Sequence, residues 1–157
     1  MSEEFIEHLS LVEELSDDQL VIIRPLIERI NFEIKKEIFK QGEAAHYLYL
    51  IVEGEVIIRF NPKEEAALVI TKLGEGDLFG WSAALGCSTY TSSAIGTKKG
   101  ELLRIKGDHL KNIYRKYPEI GLLIVNQLAS VIASRLTNIQ DQVAALLNHS
   151  LQEKTGG

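Results

Sequence analysis

The stretch whose reading decides the fold runs from Leu73 to Ala94, LGEGDLFGWSAALGCSTYTSSA. Gly74 and Gly76 mark a turn, Leu78-Phe79 end a short strand, and Gly80 opens a segment of small residues. A second, polar strand begins near Tyr90. A short helix opening at Gly80 is expected to point free backbone N–H groups outward, with a dipole that favours an anion. Glycine there permits close approach, and a nearby Ser or Thr can add a hydroxyl donor. Cys87 lies in the same stretch, with no basic neighbour and no histidine close in sequence, and is read as an inert thiol.

Outward from this segment, residues 30–106 consist of short apolar runs broken by turns. Ile34, Ile38, Tyr47–Val52, Val56–Phe60, Leu68–Lys72, Ala94–Ile95 and Leu102–Ile105 are strand candidates rich in β-branched and aromatic residues. Strands without intervening helices predict a mainly β fold, a sandwich, barrel or jelly roll. The pairs Glu64-Glu65 and Lys98-Lys99 are expected at hairpin tips. Upstream, residues 1–29 are expected to form a helical segment. Ser16 and Gln19 resemble a capping box, Leu20, Ile23 and Ile27 follow at helical spacing, and Pro25 predicts a kink or early end.

Downstream, residues 107–151 are expected to be helical and 152–157 a loose tail. Leu110, Ile113, Tyr114 and Tyr117 suit a short helix. Pro118 ends it and suits the first turn of the next, which is expected to run to about Leu147, a rod near ~45 Å. A nearly heptad stripe follows that rod. Its first half is expected to pack on its own barrel and its second half on a partner helix. Leu128, Ile132, Leu136, Ile139, Val143 and Leu146 are the candidate interface of a twofold homodimer.

With 157 residues, 45% of them apolar, the chain can bury the core of one domain. Seventeen Lys and Arg against 22 Asp and Glu leave a net charge of −5, a poor match to duplex nucleic acid. The apolar stretch Ile120 to Ser134 is interrupted by Asn126, Gln127 and Ser130, so no membrane span is expected. The opening MSEEFIEHLS is acidic where a signal peptide is basic, which predicts a cytoplasmic location. His8, His46, His109 and His149 lack ligand spacing, so no metal site is expected. No nucleophile elbow, Walker loop or HExxH motif is present, and the strands supply only His46 toward a cupin-type metal cluster. No catalytic residue, and no enzyme activity, is expected.

The segment from Leu73 to Ala94 resembles the phosphate-binding cassette of cyclic nucleotide-binding domains, the sensor module of the catabolite activator protein family. The run KKEIFKQGEAAHYLYLIVEGEVIIRF resembles that family's early strands, with turn glycines at Gly42 and Gly54. The long last helix resembles its dimerisation helix, so the likeness extends from Leu15 to Leu147. The resemblance implies a double-stranded β-helix jelly roll and a non-catalytic regulatory sensor that signals through its dimer helix. It implies a ligand pocket formed by Phe79, Gly80, Trp81, Ser82, Ala83 and Ala84 on one side, and by Tyr90, Thr91 and Ser92 on the other.

The sequence departs from the family at two of these places. Trp81 stands where the pattern has a glutamate that accepts from the ribose, and Tyr90 where it has an arginine for the phosphate. No Lys or Arg occurs between Asp77 and Thr97. A cyclic nucleotide is therefore a possible ligand, but cyclic AMP and cyclic GMP are disfavoured by Trp81 and Tyr90. Trp81 either fills the vacated space or contacts a flat or apolar ligand. Tyr90 is either a pocket donor or a packing residue. Thr91, Ser92 and Ser93 are either hydrogen-bonding groups or an exposed polar strand. The alternatives to a small-molecule sensor are a scaffold with a filled pocket that meets a protein partner, and the regulatory part of a catabolite activator-type regulator lacking its helix-turn-helix.

Overall fold

Ser16 caps helix α1 (Asp17–Ile23) as expected. Its hydroxyl accepts from the Gln19 amide, and the Gln19 side chain accepts from the Ser16 amide. The structure, a computed structural model, describes residues 14–61 and 68–155. Leu20 and Ile23 are the buried side chains of α1. Pro25 then diverts the chain into a 3-10 turn, Arg24–Leu26, because a proline carries no amide to continue the helix. Ile27 is consequently extended rather than helical, and strand β1 (Glu28–Phe32) starts two residues before the expected boundary.

Five further strands follow: β2 (Glu37–Phe39), β3 (Tyr47–Phe60), β4 (Leu68–Leu73), β5 (Leu78–Phe79) and β6 (Ser93–Lys106). They form an antiparallel sheet in the order β1-β6-β3-β4, with β2 also on β6 and β5 on β3. Ile34, a strand candidate, instead occupies the exposed turn between β1 and β2. Both β3 and β6 are single 14-residue strands where the glycines suggested two each. Gly54 does not end β3; it sits at φ +105° where the register against β6 shifts. A side chain at that position would meet the Phe32 ring at 2.8 Å and the Lys99 carbonyl at 2.9 Å. The glycine therefore makes a bulge, which bends the strand without terminating it. Lys98 and Lys99 accordingly lie within β6, not at a hairpin tip, and Lys98 is paired in register with Glu55. Glu64 and Glu65 lie outside the described residues.

Alternation along β3 divides the core in two. Leu48, Leu50 and Val52 face the helices together with Leu103, Ile105, Leu110 and Ile113. Tyr49 and Ile51 face the opposite way, into a cluster with Phe32, Phe39, Phe79, Tyr90 and Leu102. Gly107, at the start of α2 (Gly107–Lys116), has no room for a side chain, which would lie 2.7 Å from the Ala83 carbonyl.

Helix α3 (Pro118–Thr155) has 38 residues, a rod of roughly 57 Å, longer than expected. Residues 152–155 continue the helix where a loose tail was expected. Ile120, Ile124 and Leu128, spaced by four, are fully buried in the helix-side core. Leu128 therefore belongs to the protein's own core and is withdrawn from the expected dimer interface. Further along, Leu136 is 54% exposed; the side chains of Ile139, Val143 and Leu146 lie outside the described ones. By length and composition alone, the segment Pro118–Thr137, with a mean hydropathy of 1.5, is long and apolar enough to cross a bilayer, a longer stretch than the one read from the sequence. In this fold Ile120, Ile124 and Leu128 use its apolar surface to cover the sheet.

Candidate functional site

A cavity of about 360 Å³ lies between the β roll and α3. The barrel contributes Phe39, Ile58, Phe60 and Thr71. The cassette contributes Gly80, Trp81 and Ser82, followed by Tyr90, Thr91 and Ser92, while α3 contributes Ile132, Arg135 and Leu136.

Six of the nine expected pocket residues meet here; Phe79, Ala83 and Ala84 do not. Phe79 is 1% exposed, with its ring stacked on Tyr49 at 5.1 Å and tilted against Phe39 at 5.9 Å in the aromatic core. The expected helix after Gly80 is only one 3-10 turn, Trp81–Ala83. That turn carries Ala83 against the start of α2 and Ala84 into the helix-side core. The Ala84 carbonyl accepts from the Tyr114 hydroxyl at 2.8 Å, and burial pushes that phenol up to about 12. A single turn also lacks the aligned peptide dipoles of a long helix, so the expected anion site at a helix start is not formed. Gly80 itself is required twice over. It holds φ +77°, and a side chain there would approach the Tyr47 carbonyl to 3.0 Å.

The two readings of Tyr90 resolve in favour of packing. Its hydroxyl donates to the Tyr47 carbonyl at 2.6 Å and accepts from the Tyr47 amide at 3.0 Å. Its ring stacks on Phe39 with centroids 3.7 Å apart, and burial pushes the phenol up to about 12. The ring borders the cavity, but the hydroxyl is committed to β3. Ser93 is committed as well, its hydroxyl accepting from the Gln41 amide at 2.9 Å. Ser82 is buried, Ser92 half-buried and Thr91 exposed; all three line the cavity.

Trp81 is half-buried and borders the cavity without filling it. The guanidinium of Arg135 lies over its indole, 4.8 Å from the ring centroid, in cation–π geometry. Arg135 also donates through Nη2 to the Leu78 carbonyl. Burial lowers its pKa to about 10, against an opposing pull from Asp77, so the side chain remains charged at neutral pH. The cassette has no cation of its own, and the helix brings one to it.

Arg135 was not among the expected pocket residues, although the sequence carries a signal for it. It is the only ionisable residue between Glu119 and Asp141. It also stands seven residues after Leu128 and three after Ile132, on the face that covers the barrel. Phe39, Ile58, Phe60 and Thr71 were also missed, because only the closing of the roll brings those strands to the cassette. Among the described residues, no group of three His, Cys, Asp or Glu side chains is placed to hold a metal ion.

The family model of the cyclic nucleotide-binding domain matches residues 29–117, and the chain belongs to that family. It is similar to the CRP-like cAMP-activated global transcriptional regulator of Mycobacterium tuberculosis, 23% identical over 145 residues. That match covers 92% of this chain and 63% of the relative. The Thermus thermophilus catabolite activator protein superposes with a TM-score of 0.70 at 25% identity, covering 87% of this chain and 62% of that one. A cyclic nucleotide-binding domain from Methylobacillus flagellatus superposes with a TM-score of 0.81 at 17% identity, covering 91% and 84%, which supports the expected jelly-roll fold. The chain spans 32% to 63% of the length of the first curated relatives it matches.

Proposed function

We propose that this chain is a non-catalytic, cytoplasmic sensor domain whose effector occupies the cavity between the cassette and α3. The observation that carries this reading is the shared ownership of the cavity. Gly80, Trp81 and Ser82 line it from the barrel, and Ile132, Arg135 and Leu136 from the helix. An occupant touches both bodies, so it shifts the balance between helix packings that differ in their contacts to it. The exposed side chain of Leu136 supports a homodimer that transmits the shift, in which α3 pairs with its copy. The acidic balance of the chain supports an output through a partner protein, or as the regulatory part of a larger regulator, rather than direct contact with duplex DNA.

Cyclic AMP and cyclic GMP are disfavoured as the effector. Among the described residues no carboxylate lines the cavity to accept from a ribose hydroxyl; Trp81 stands at the family's glutamate position, and an indole only donates. Tyr90, at the arginine position, is locked to Phe39 and to the Tyr47 backbone. An unsatisfied buried polar group costs about 1–3 kcal/mol, so the missing acceptor alone should weaken either nucleotide by roughly 5- to 150-fold. Calorimetry on the unmodified protein tests this; low-micromolar binding of either nucleotide would refute the exclusion. A scaffold with a filled pocket, the competing reading, has the open cavity against it.

A further inference from the structure

We infer that the effector is a small amphipathic carboxylate, with its acid group held by Arg135 of α3 and its apolar body in the barrel half of the cavity. The inference rests on the sensor reading above and names the ligand class for that same site.

The cavity is mostly apolar: Ile58, Phe60, Ile132 and Leu136 present hydrocarbon, and Phe39 and Tyr90 present ring faces. Against this lining stands, among the described residues, one charged side chain, Arg135. Asp77 acts on it only through space, its carboxylate accepting from the Gly74 amide at 2.8 Å. No ion pair to Arg135 forms among the described residues. The guanidinium is held on one side by the Trp81 ring and through Nη2 by the Leu78 carbonyl, a neutral acceptor. A guanidinium offers five N–H donors in a planar fork that matches the two oxygens of a carboxylate. One cation and an apolar cavity thus fit one negative charge on an apolar body. They do not fit a dianion, which would bring a second charge with no partner.

The same residue supplies the coupling. A carboxylate on the remaining donors of Arg135 shares the guanidinium with the Leu78 carbonyl, so occupancy bears on the contact that ties the middle of α3 to strand β5. Trp81 is the only tryptophan in the chain and lies directly under the guanidinium, so its emission reports what happens at Arg135.

The test titrates the full chain with phenylacetate and octanoate, with their neutral counterparts phenylacetamide and octanamide, and with cyclic AMP, following Trp81 fluorescence. At least one carboxylate should change the emission saturably, and its amide should bind about 10- to 100-fold more weakly, as expected for losing a charged hydrogen bond. In R135Q that carboxylate should fall to the level of its amide, with R135K intermediate and circular dichroism showing both variants folded. The amide comparison in the unmodified protein stands even if R135Q does not fold. If acids and amides bind equally, or R135Q binds the carboxylate unchanged, the role of Arg135 is overturned while the sensor reading survives. If cyclic AMP binds tightly and neither carboxylate does, the ligand class is overturned, and with it the exclusion of cyclic AMP. If no probe changes the emission, the ligand class is overturned while the sensor reading, which names no ligand, survives.

Discussion

The two halves of helix α3 continue one another without a break, yet they meet the protein differently. From Ile120 to Leu128 every fourth residue is buried in the core, and Ile124 and Leu128 are wholly inaccessible. From Ile132 to Leu136 the same spacing yields a half-buried and then an exposed side chain, both bordering a cavity. The first half is an anchor, buried in one cluster with residues of β3, β6 and α2. In the second half, the described contacts to the barrel include the Arg135 guanidinium on Trp81 and its bond to the Leu78 carbonyl. The anchored half cannot shift without opening the core, whereas the second half can, and that is where the cavity lies.

The largest expected effect breaks the anchor. Leu128→Ala should destabilise the protein by about 2–5 kcal/mol, the usual cost of a cavity at a fully buried leucine, as read from denaturant unfolding. A value below ~1 kcal/mol would show that the first half is not packed as described.

A smaller effect is expected at the junction of cassette and barrel. Tyr90→Phe keeps the stack on Phe39 but removes both contacts to the Tyr47 backbone, for an expected loss of about 1–3 kcal/mol in thermal or chemical unfolding. The same phenol predicts a dependence on pH. With Tyr90 and Tyr114 both pushed up to about 12 from an ordinary value of 10, the folded state holds their protons more tightly than the unfolded chain does. That stabilisation is complete below pH 10 and is lost as the pH rises toward 12. Denaturation midpoints measured from pH 8 to 12 should fall across that window, and less steeply in Tyr90→Phe.

The smallest effect on stability is expected in the free half of the helix. Leu136→Glu should change monomer stability by no more than ~0.5 kcal/mol, since the side chain is mostly exposed, yet it should shift the mass seen by light scattering from dimer toward monomer. An unmodified protein that is already monomeric would remove the dimer from the proposal and leave the cavity reading intact.

Much of this fold was legible in the residues themselves. The capping box at Ser16, the helix break at Pro25 and the turn at Gly80 are local signals, each read within about five residues and each found in place. The glycines of β3 and β6 misled because an isolated glycine in a strand marks a bulge as readily as an end, and only the partner strand decides which. Phe79 misled for a similar reason. Its place beside Gly80 in the chain says nothing of the Tyr49 and Phe39 rings that draw it into the core.

By itself the sequence determined the order of helices and strands, the family, and the loss of the family's glutamate and arginine at Trp81 and Tyr90. Only the tertiary structure decided that Tyr90 is spent on the backbone of β3, that Leu128 faces inward, and that a cation reaches the cassette. Arg135 stands 54 residues from Trp81 in the chain, and nothing local to either residue specifies their meeting. That contact exists because Ile120, Ile124 and Leu128 bury themselves against the barrel, and the rigid helix carries the next turns across the mouth of the cassette.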